Sequence, residues 1–156
     1  MSYSRSVLLY QDEPAYGLLL KLIILIVPLA MLVGSFFLFS SGDSSDGLAL
    51  LAEAFIIGLI FWAIFPRKYQ VYEDHLRIVL GGPFSVKVRF DQVKAIEITG
   101  RLNFGVNFIT KFTRDHVAIY KKRGPSIAIT PRDNDLFVEN ANKALGEWVN
   151  TNLNKA

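Results

Sequence analysis

Apolar residues form two long runs in the first half of the chain, residues 18–39 and 48–65, and an eight-residue polar turn, SSGDSSDG, separates them. The first run has 22 residues with one charge, Lys21, and the second has 18 residues with one charge, Glu53. A helix needs about 20 apolar residues to cross a hydrocarbon core of about 30 Å. The pattern therefore predicts a transmembrane hairpin within residues 1–66.

Two other kinds of segment also produce long apolar runs. A signal peptide has a shorter apolar stretch followed by small residues at a cleavage site, and the first run has neither feature. A pair of core helices in a soluble protein is the remaining alternative. The rest of the chain is too small to bury both helices, so the hairpin is the preferred interpretation.

Basic residues flank the two runs at the ends away from the connecting turn, and the turn itself has two aspartates and no base. Lys and Arg concentrate in the short cytoplasmic segments of membrane proteins. We therefore expect a cell (inner) membrane protein that crosses the bilayer twice, with both termini cytoplasmic and the turn outside. The flanking bases are Arg5, Lys21, Arg67 and Lys68.

Glu53 is the one acidic residue inside the predicted spans. An acidic side chain at membrane depth indicates a functional site by default. If Phe39 pairs with Leu48 across the turn, Glu53 lies opposite Gly34, towards the outer end of the hairpin. A transport or proton-relay role is one interpretation, and a carboxyl group that reaches the outer interface or contacts Gly34 is the other.

Charge divides unevenly along the chain. Residues 1–65 hold two basic and five acidic groups, and residues 66–156 hold fifteen basic and nine acidic groups, which gives formal charges of −3 and +6. A basic cytoplasmic domain is attracted to an anionic leaflet by about 1 kcal/mol for each base near the surface, and an ordinary solvated surface is the alternative. The bases are dispersed and accompany no nucleic-acid-binding motif, so nucleic acid is not an expected partner.

Residues after Lys68 alternate between apolar and polar, which is typical of strands with one buried face. Phe84, Val86, Val88 and Phe90 are the clearest example. The predicted strands cover residues 69–72, 76–80, 84–90, 93–99, 117–121 and 126–130, with an irregular stretch at 100–114.

A helix is predicted to follow these strands. Thr130 can cap it, Pro131 suits the first helical position, and Asp133 follows as in a capping box. Apolar residues then recur at helical spacing and form one stripe, which should cover an open edge or end of the sheet. The stripe consists of Phe137, Ala141, Ala144, Leu145, Trp148 and Val149.

Strands followed by one amphipathic helix, together with the segment IAITPRDNDLFVENANKAL, resemble the pleckstrin-homology-like (PH-like) fold, specifically the bacterial PH domains attached to membrane hairpins. The resemblance implies an α+β chain with a two-helix transmembrane hairpin at 1–66. A cytoplasmic PH-like antiparallel β-barrel or sandwich with one C-terminal amphipathic helix follows at 67–156. It implies a binding or scaffolding module. Inositol phosphate recognition of the eukaryotic type is not expected, because the turn at Glu73 and Asp74 is short and acidic.

The sequence offers no catalytic or cofactor-binding constellation. His75 and His116 each follow an aspartate, and adjacent residues on a strand point to opposite faces, so neither pair fits a Ser-His-Asp set. We expect both histidines to begin strands. The sequence has no cluster at metal-ligand spacing, no nucleotide fingerprint and no cysteine. We therefore expect no enzyme, no metal and no cofactor.

Aromatic and basic residues are interleaved in the irregular stretch, a composition that suits the lipid headgroup boundary. A strand pair with buried phenylalanines and exposed bases is the alternative. The predicted membrane contact consists of Arg67, Lys68, Arg101, Phe104, Phe108, Lys111, Phe112 and Arg114.

These features together predict a non-catalytic, membrane-anchored binding or scaffolding protein. Its cytoplasmic domain is expected to contact anionic lipid headgroups of the bilayer or an unidentified protein partner, and the sequence is compatible with a homo-oligomer. The alternative is an accessory subunit of a transporter or envelope complex that acts through the hairpin, with Glu53 contributing.

Overall fold

The structure is a computed structural model that describes residues 6–101, 104–113 and 115–153. Within these residues the helices are α1 (Leu18–Ser41), α2 (Ser44–Ile64) and α3 (Asn134–Leu153). The strands are β1 (Leu8–Asp12), β2 (Lys68–Tyr72), β3 (His75–Val79), β4 (Ser85–Arg89), β5 (Val93–Thr99), β6 (Val106–Phe108), β7 (His116–Lys121) and β8 (Ile127–Ile129).

Helices α1 and α2 extend into the predicted polar turn and leave only Gly42 and Asp43 between them. Gly42 has a φ of 94°, a left-handed conformation in which most side chains would be strained. Its N–H donates to the Phe39 carbonyl, and the Asp43 N–H donates to the Leu38 carbonyl. These bonds satisfy carbonyl groups that the end of α1 would otherwise leave without partners.

The two helices meet through small and polar residues. The Ser35 hydroxyl donates a 2.7 Å hydrogen bond to the Gly47 carbonyl, and Ala54 is buried. A Cβ atom at Gly34 would lie 3.0 Å from the Leu50 side chain. Most of the large apolar side chains point outward instead. Both helices are long and apolar enough to cross a membrane.

The structure has a strand before the hairpin, β1, that the sequence analysis does not predict. It pairs antiparallel with β2, with Asp12 opposite Tyr69. The Tyr10 ring packs edge-on against Phe137, with 6.2 Å between the ring centroids. The sequence of β1, LLYQD, has no regular alternation of apolar and polar residues, so the pattern carries no strand signal. Residues 8–12 lie on the hairpin side of the predicted boundary and nevertheless complete a sheet of the domain.

The described strands form two sheets, in the orders β1-β2-β3-β4 and β5-β7-β8-β6. Neighbouring strands are antiparallel except β6 and β8, which are parallel. In the part of the chain that the structure describes, the sheets form a sandwich-like arrangement and no closed barrel. The predicted α+β class, with α3 following the strands, is confirmed.

Apolar side chains from both sheets and α3 form one core, in which Tyr69 and Phe90 are fully buried. Trp148 packs edge-on against Phe90, with 6.4 Å between the ring centroids. The predicted apolar stripe of α3 is confirmed except at Val149, which is 39 % exposed. The buried members of the stripe are Phe137, Ala141 and Ala144.

Helix α3 begins at Asn134, later than predicted, and Asp133 caps it in place of Thr130. The Asp133 carboxylate accepts a 2.9 Å hydrogen bond from the Leu136 N–H, the geometry of an N-cap. The Thr130 hydroxyl instead accepts the Thr110 N–H at 2.9 Å. A buried contact between strand ends thus occupies the side chain that the sequence pattern assigns to the cap.

Candidate membrane-facing site

One end of the domain adjoins the hairpin, and we call it the hairpin end, opposite the far end. The Gly17 N–H, directly before α1, donates a 2.9 Å hydrogen bond to the Thr110 carbonyl. The Ala15 N–H donates a 2.8 Å hydrogen bond to the Thr130 carbonyl. The ends of β6 and β8 therefore lie beside the start of α1.

The turn between β3 and β4 packs on the end of α2. The Gly81 N–H donates to the Ala63 carbonyl at 3.3 Å, and the Arg67 N–H donates to the Val79 carbonyl at 2.6 Å. A Cβ atom at Gly81 would lie 1.5 Å from the Trp62 carbonyl oxygen, so a larger residue cannot occupy this position without displacing the backbone. Both helices of the hairpin are thus attached to the same end of the domain.

Exposed aromatic and basic side chains surround this attachment. Phe112 is 78 % exposed and Phe84 is 54 % exposed. Lys111 lies beside the start of α1, and Arg67 and Lys68 are exposed directly after α2. We call these five residues the basic-aromatic rim. The rim lies at the level at which both helices leave the domain.

A cavity of about 480 Å³ opens between the rim and the hairpin. On its wall, the Tyr16 hydroxyl donates a 2.6 Å hydrogen bond to the Pro66 carbonyl. Burial raises the pKa of Tyr16, and the positive charge of Arg67 opposes that shift. Ile24 and Phe61 line the part of the cavity that extends along the helices. The cavity therefore joins a polar mouth, which contains both Arg67 and Glu13, to an apolar wall.

The structure separates the residues of the predicted contact. Phe108 is half-buried against the core, and its carbonyl accepts a 3.0 Å hydrogen bond from the Tyr69 hydroxyl. Phe104 is 97 % exposed but lies at the far end, because it precedes β6, which runs from the far end to the hairpin end. Arg101 lines a depression with Phe104 on the second sheet, and Arg114 lies outside the described residues. Among the described residues of the irregular stretch, only Lys111 and Phe112 join the rim.

Phe84 is a rim residue that the sequence analysis assigns to a strand face. Strand β4 begins one residue later, at Ser85, so Phe84 falls in the preceding turn. The Gly81-Gly82-Pro83 sequence indicates a turn before Phe84, but it does not indicate that this turn packs against α2. Tyr16 also gave no signal, since its role depends on folding of the segment before α1 onto the domain.

Glu53 lies near the middle of α2, nine residues after Ser44 and eleven before Ile64. Its side chain is exposed rather than directed at α1. Gly34, its expected neighbour, meets Leu50 instead. The register of α1 against α2 therefore differs from the expected one by about three residues. The reason is that α2 begins inside the polar segment that connects the two apolar runs.

His75 and His116 begin β3 and β7, as predicted. His75 Nδ1 lies 2.5 Å from the Asp74 carboxylate. Burial acts to raise the pKa of Asp74, but hydrogen bonds from His75 and Ser6 outweigh it and hold the pKa below its usual value. In the part of the chain that the structure describes, no three potential metal ligands of the His, Cys, Asp or Glu type lie together.

The family comparison agrees with this architecture. The sequence model of the bacterial PH domain matches residues 67–144. The chain belongs to the bacterial PH domain family. The match begins at Arg67 and ends inside α3, so it covers β2 to β8 and leaves out β1 and the hairpin. Searches of curated proteins and of solved structures found no match to the chain.

Bacterial PH domains are generally binding modules without catalytic activity. In this protein the bacterial PH domain is joined to two apolar helices of membrane-spanning length. The combination fits a membrane-associated, non-catalytic protein. The rim and the cavity beside Tyr16 are the features that a binding role can use.

Proposed function

We propose that this protein is a membrane-anchored binding protein whose bacterial PH domain lies against the anionic cytoplasmic leaflet of the cell (inner) membrane. One observation carries the proposal: the basic-aromatic rim occupies the end of the domain at which both apolar helices enter. The helices act as the anchor, and the rim residues contact the headgroups next to it.

The chemistry of the rim suits a headgroup layer. Its three bases, Arg67, Lys68 and Lys111, contribute up to about 3 kcal/mol beside an anionic surface, at about 1 kcal/mol each. Phe84 and Phe112 are exposed, and an apolar side chain loses less by contact with the interface than by exposure to water. Hydrogen bonds from Gly17 and Arg67 to the domain hold these side chains at the helix ends.

The proposed orientation places the domain in the cytoplasm. Because β1 pairs with β2, the segments before and after the hairpin lie on the same side of any membrane that it spans. The bases near the helix ends are on that side, and the two aspartates of the turn are on the other. This charge distribution follows the positive-inside rule.

Cysteine labelling tests the orientation, since the chain has no cysteine of its own. A cysteine that replaces Ser44 should react with an impermeant maleimide in intact cells. A cysteine that replaces Arg123, in the far-end turn between β7 and β8, should react only after the membrane is permeabilised. The reverse labelling pattern would overturn the orientation.

Lipid contact is tested with the full-length protein in nanodiscs. A cysteine that replaces Thr113, next to Phe112, carries an environment-sensitive fluorophore. In phosphatidylglycerol discs its emission should shift to the blue, and brominated acyl chains should quench it. Both effects should be smaller in phosphatidylcholine discs and should fall with added salt, because salt screens exposed charges.

Two triple variants provide a matched comparison. Changing Arg67, Lys68 and Lys111 to Gln should remove most of the lipid-dependent shift. Changing Lys121, Lys122 and Arg123 to Gln removes the same charge at the far end and should leave the shift in place. If both triple variants lose the same part of the emission shift, the shift reflects general electrostatic attraction, and a specific contact by the rim is overturned. No shift in any disc would overturn lipid binding and favour a protein partner for the domain.

A further inference from the structure

Glu53 occupies an unfavourable position for a hairpin that spans a membrane alone. The apolar part of α2 begins at Leu48, so Glu53 lies about 8 Å along the helix from the start of that part and about 17 Å from Ile64, at 1.5 Å per residue. Its carboxyl group is therefore inside the hydrocarbon layer, in the outer half. The side chain is exposed on the outer surface of the hairpin, where lipid tails offer no hydrogen bond.

The described part of the chain offers Glu53 no partner. No described residue forms a hydrogen bond or an ion pair with its carboxyl group. Lys21 is the one base within the spans, and it lies in the first turn of α1, near the level of the end of α2. Acidic groups at membrane depth almost always face a protein interior or pair with one another. The exposed face of α2 is therefore suited to contact with a second protein surface.

The surface around Glu53 permits close approach of another helix. Ala49 lies one turn before Glu53 on the same face and is exposed. Small residues let helix backbones come close in lipid, where interhelical hydrogen bonds and packing drive association. Ile56 and Ile60 continue this face and are 54 % and 49 % exposed.

A second copy of the chain satisfies the chemistry of this face. Two copies with the same orientation, related by a two-fold axis along the membrane normal, place their Glu53 side chains at the same depth without any adjustment. A carboxylic acid carries both a donor and an acceptor, so two identical groups can satisfy each other. A different partner would have to supply a matching polar group at this depth.

We propose that the protein forms a two-fold symmetric dimer in the membrane through the outer face of α2, with the two Glu53 carboxyl groups hydrogen-bonded to each other at its centre. The dimer rests on the proposed membrane insertion and not on lipid contact by the rim. Recovery of the chain in the membrane fraction checks the insertion separately.

Disulfide cross-linking in native membranes tests the dimer, because the chain has no other cysteine. A cysteine that replaces Ala49 should give a product of twice the chain mass upon oxidation with copper phenanthroline. A cysteine that replaces Phe55 is the matched control, since Phe55 is equally within the bilayer but lines the groove on the other flank of α2. It should give little product.

Two changes at Glu53, each made in the Ala49→Cys chain, identify the hydrogen bond. Glu53→Leu removes the polar group and should weaken association by about 5- to 30-fold, the factor expected for loss of one interhelical polar pair. Glu53→Gln should keep most of the product, because an amide also carries a donor and an acceptor. Leucine suits the bilayer, so the Glu53→Leu chain should still appear in the membrane fraction.

Several results would overturn the dimer. These are equal cross-linking from positions 49 and 55, product that is unchanged in the Glu53→Leu chain, and absence of product from membrane-inserted protein. A Glu53-dependent product with a mass other than twice that of the chain would also overturn it, and would support the alternative of an accessory subunit in a larger membrane complex.

Discussion

The hairpin and the domain place similar side chains in opposite positions. In the hairpin, Phe36 and Phe55 are each 68 % exposed, and a serine, Ser35, is 2 % exposed in the helix interface. In the domain, Phe90 and Phe137 are almost completely buried, and charged side chains cover the surface. The two units of the chain therefore have opposite, or inverted, distributions of apolar and polar side chains between surface and interior.

In the proposed membrane orientation, different forces hold the two units together. Burial of apolar area stabilises the domain by about 25 cal/mol per Å² removed from water. That force is absent between helices in lipid, so they associate through close packing and interhelical hydrogen bonds. The same substitution should therefore have different effects in the two units.

The largest effect is expected for Phe137→Ala. The Phe137 ring is buried between the rings of Tyr10 and Tyr69, and it joins α3 to the first sheet. Truncation should lower the free energy of unfolding of the domain by about 3–5 kcal/mol, the usual cost for a buried phenylalanine. Chemical denaturation of the full-length protein in detergent measures the change.

Phe55→Ala is the matched control for that substitution. Phe55 is 68 % exposed on α2, so the change should alter the stability of the domain by less than about 0.5 kcal/mol. Similar losses from both substitutions would mean that the hairpin also folds around an apolar core, and the inversion would not hold.

The next effect concerns the contact between the two units. Gly81→Ala places a methyl group where the Trp62 carbonyl lies, so the turn or the end of α2 must move. Overpacking of this kind typically costs about 1–3 kcal/mol. The free energy of unfolding should fall by that amount, and proteases should cleave faster near Arg67.

Gly146→Ala controls for the loss of a glycine, because a Cβ atom there meets nothing within 4 Å. It lies within α3, where alanine is favoured over glycine by up to about 1 kcal/mol. A Gly81→Ala change that is tolerated as well as Gly146→Ala would show that the hairpin does not rest on the β3–β4 turn.

A smaller effect is expected inside the hairpin. Ser35→Ala removes the 2.7 Å hydrogen bond to the Gly47 carbonyl and should weaken helix pairing by about 1 kcal/mol. Titration with SDS of chains that also carry Trp148→Phe, followed by Trp62 fluorescence, measures the change. Ser40→Ala is the control, since the Ser40 hydroxyl bonds only to the Phe36 carbonyl of its own helix, and it should leave the titration unchanged.

The smallest effect is a pH dependence at the far end of the domain. The pKa of Asp74 is lower in the folded protein than its usual value of 3.8, so its stabilising contribution is present above pH 3.8 and is lost as the pH falls through the lowered value. The side chain is 44 % exposed, and solvent screening limits the contribution to less than about 1 kcal/mol.

Asp74→Asn should therefore lower the melting temperature slightly at neutral pH and have no effect once the pH is below the folded pKa. Glu139→Gln, on the exposed face of α3, should leave the melting temperature unchanged at both pH values. A difference between Asp74→Asn and the parent protein that persists at the acidic end would mean that the Asn side chain disturbs the fold.

The sequence predicted the elements that have a strong period and missed those that depend on distant contacts. The apolar runs and the alternation in β3 and β4 identified the hairpin and the strands, because burial on one face leaves a repeat in the chain. Strand β1 leaves none, since its position depends on pairing with β2. The helix cap was wrong for the same reason: a contact with Thr110 occupies Thr130.

The candidate site was predictable only in part. The sequence predicted four rim residues, because flanking bases and exposed aromatics mark a membrane interface. These are Arg67, Lys68, Lys111 and Phe112. Phe104 was grouped with them by closeness in sequence, but β6 carries the chain from one end of the domain to the other. Phe84 lies in the turn between β3 and β4. Only the packing of Gly81 against α2 brings this turn to the rim.

The pairing of β1 with β2 links synthesis of the chain to its assembly. Strand β1 leaves the ribosome before either helix, and 56 residues separate Asp12 from its partner Tyr69. If only one helix crossed the bilayer, the two strands would lie on opposite sides of it. Strand β2 would then keep an open edge, which can pair with other chains and aggregate. Completion of the first sheet therefore requires the segments before and after the hairpin to lie on the same side of the membrane.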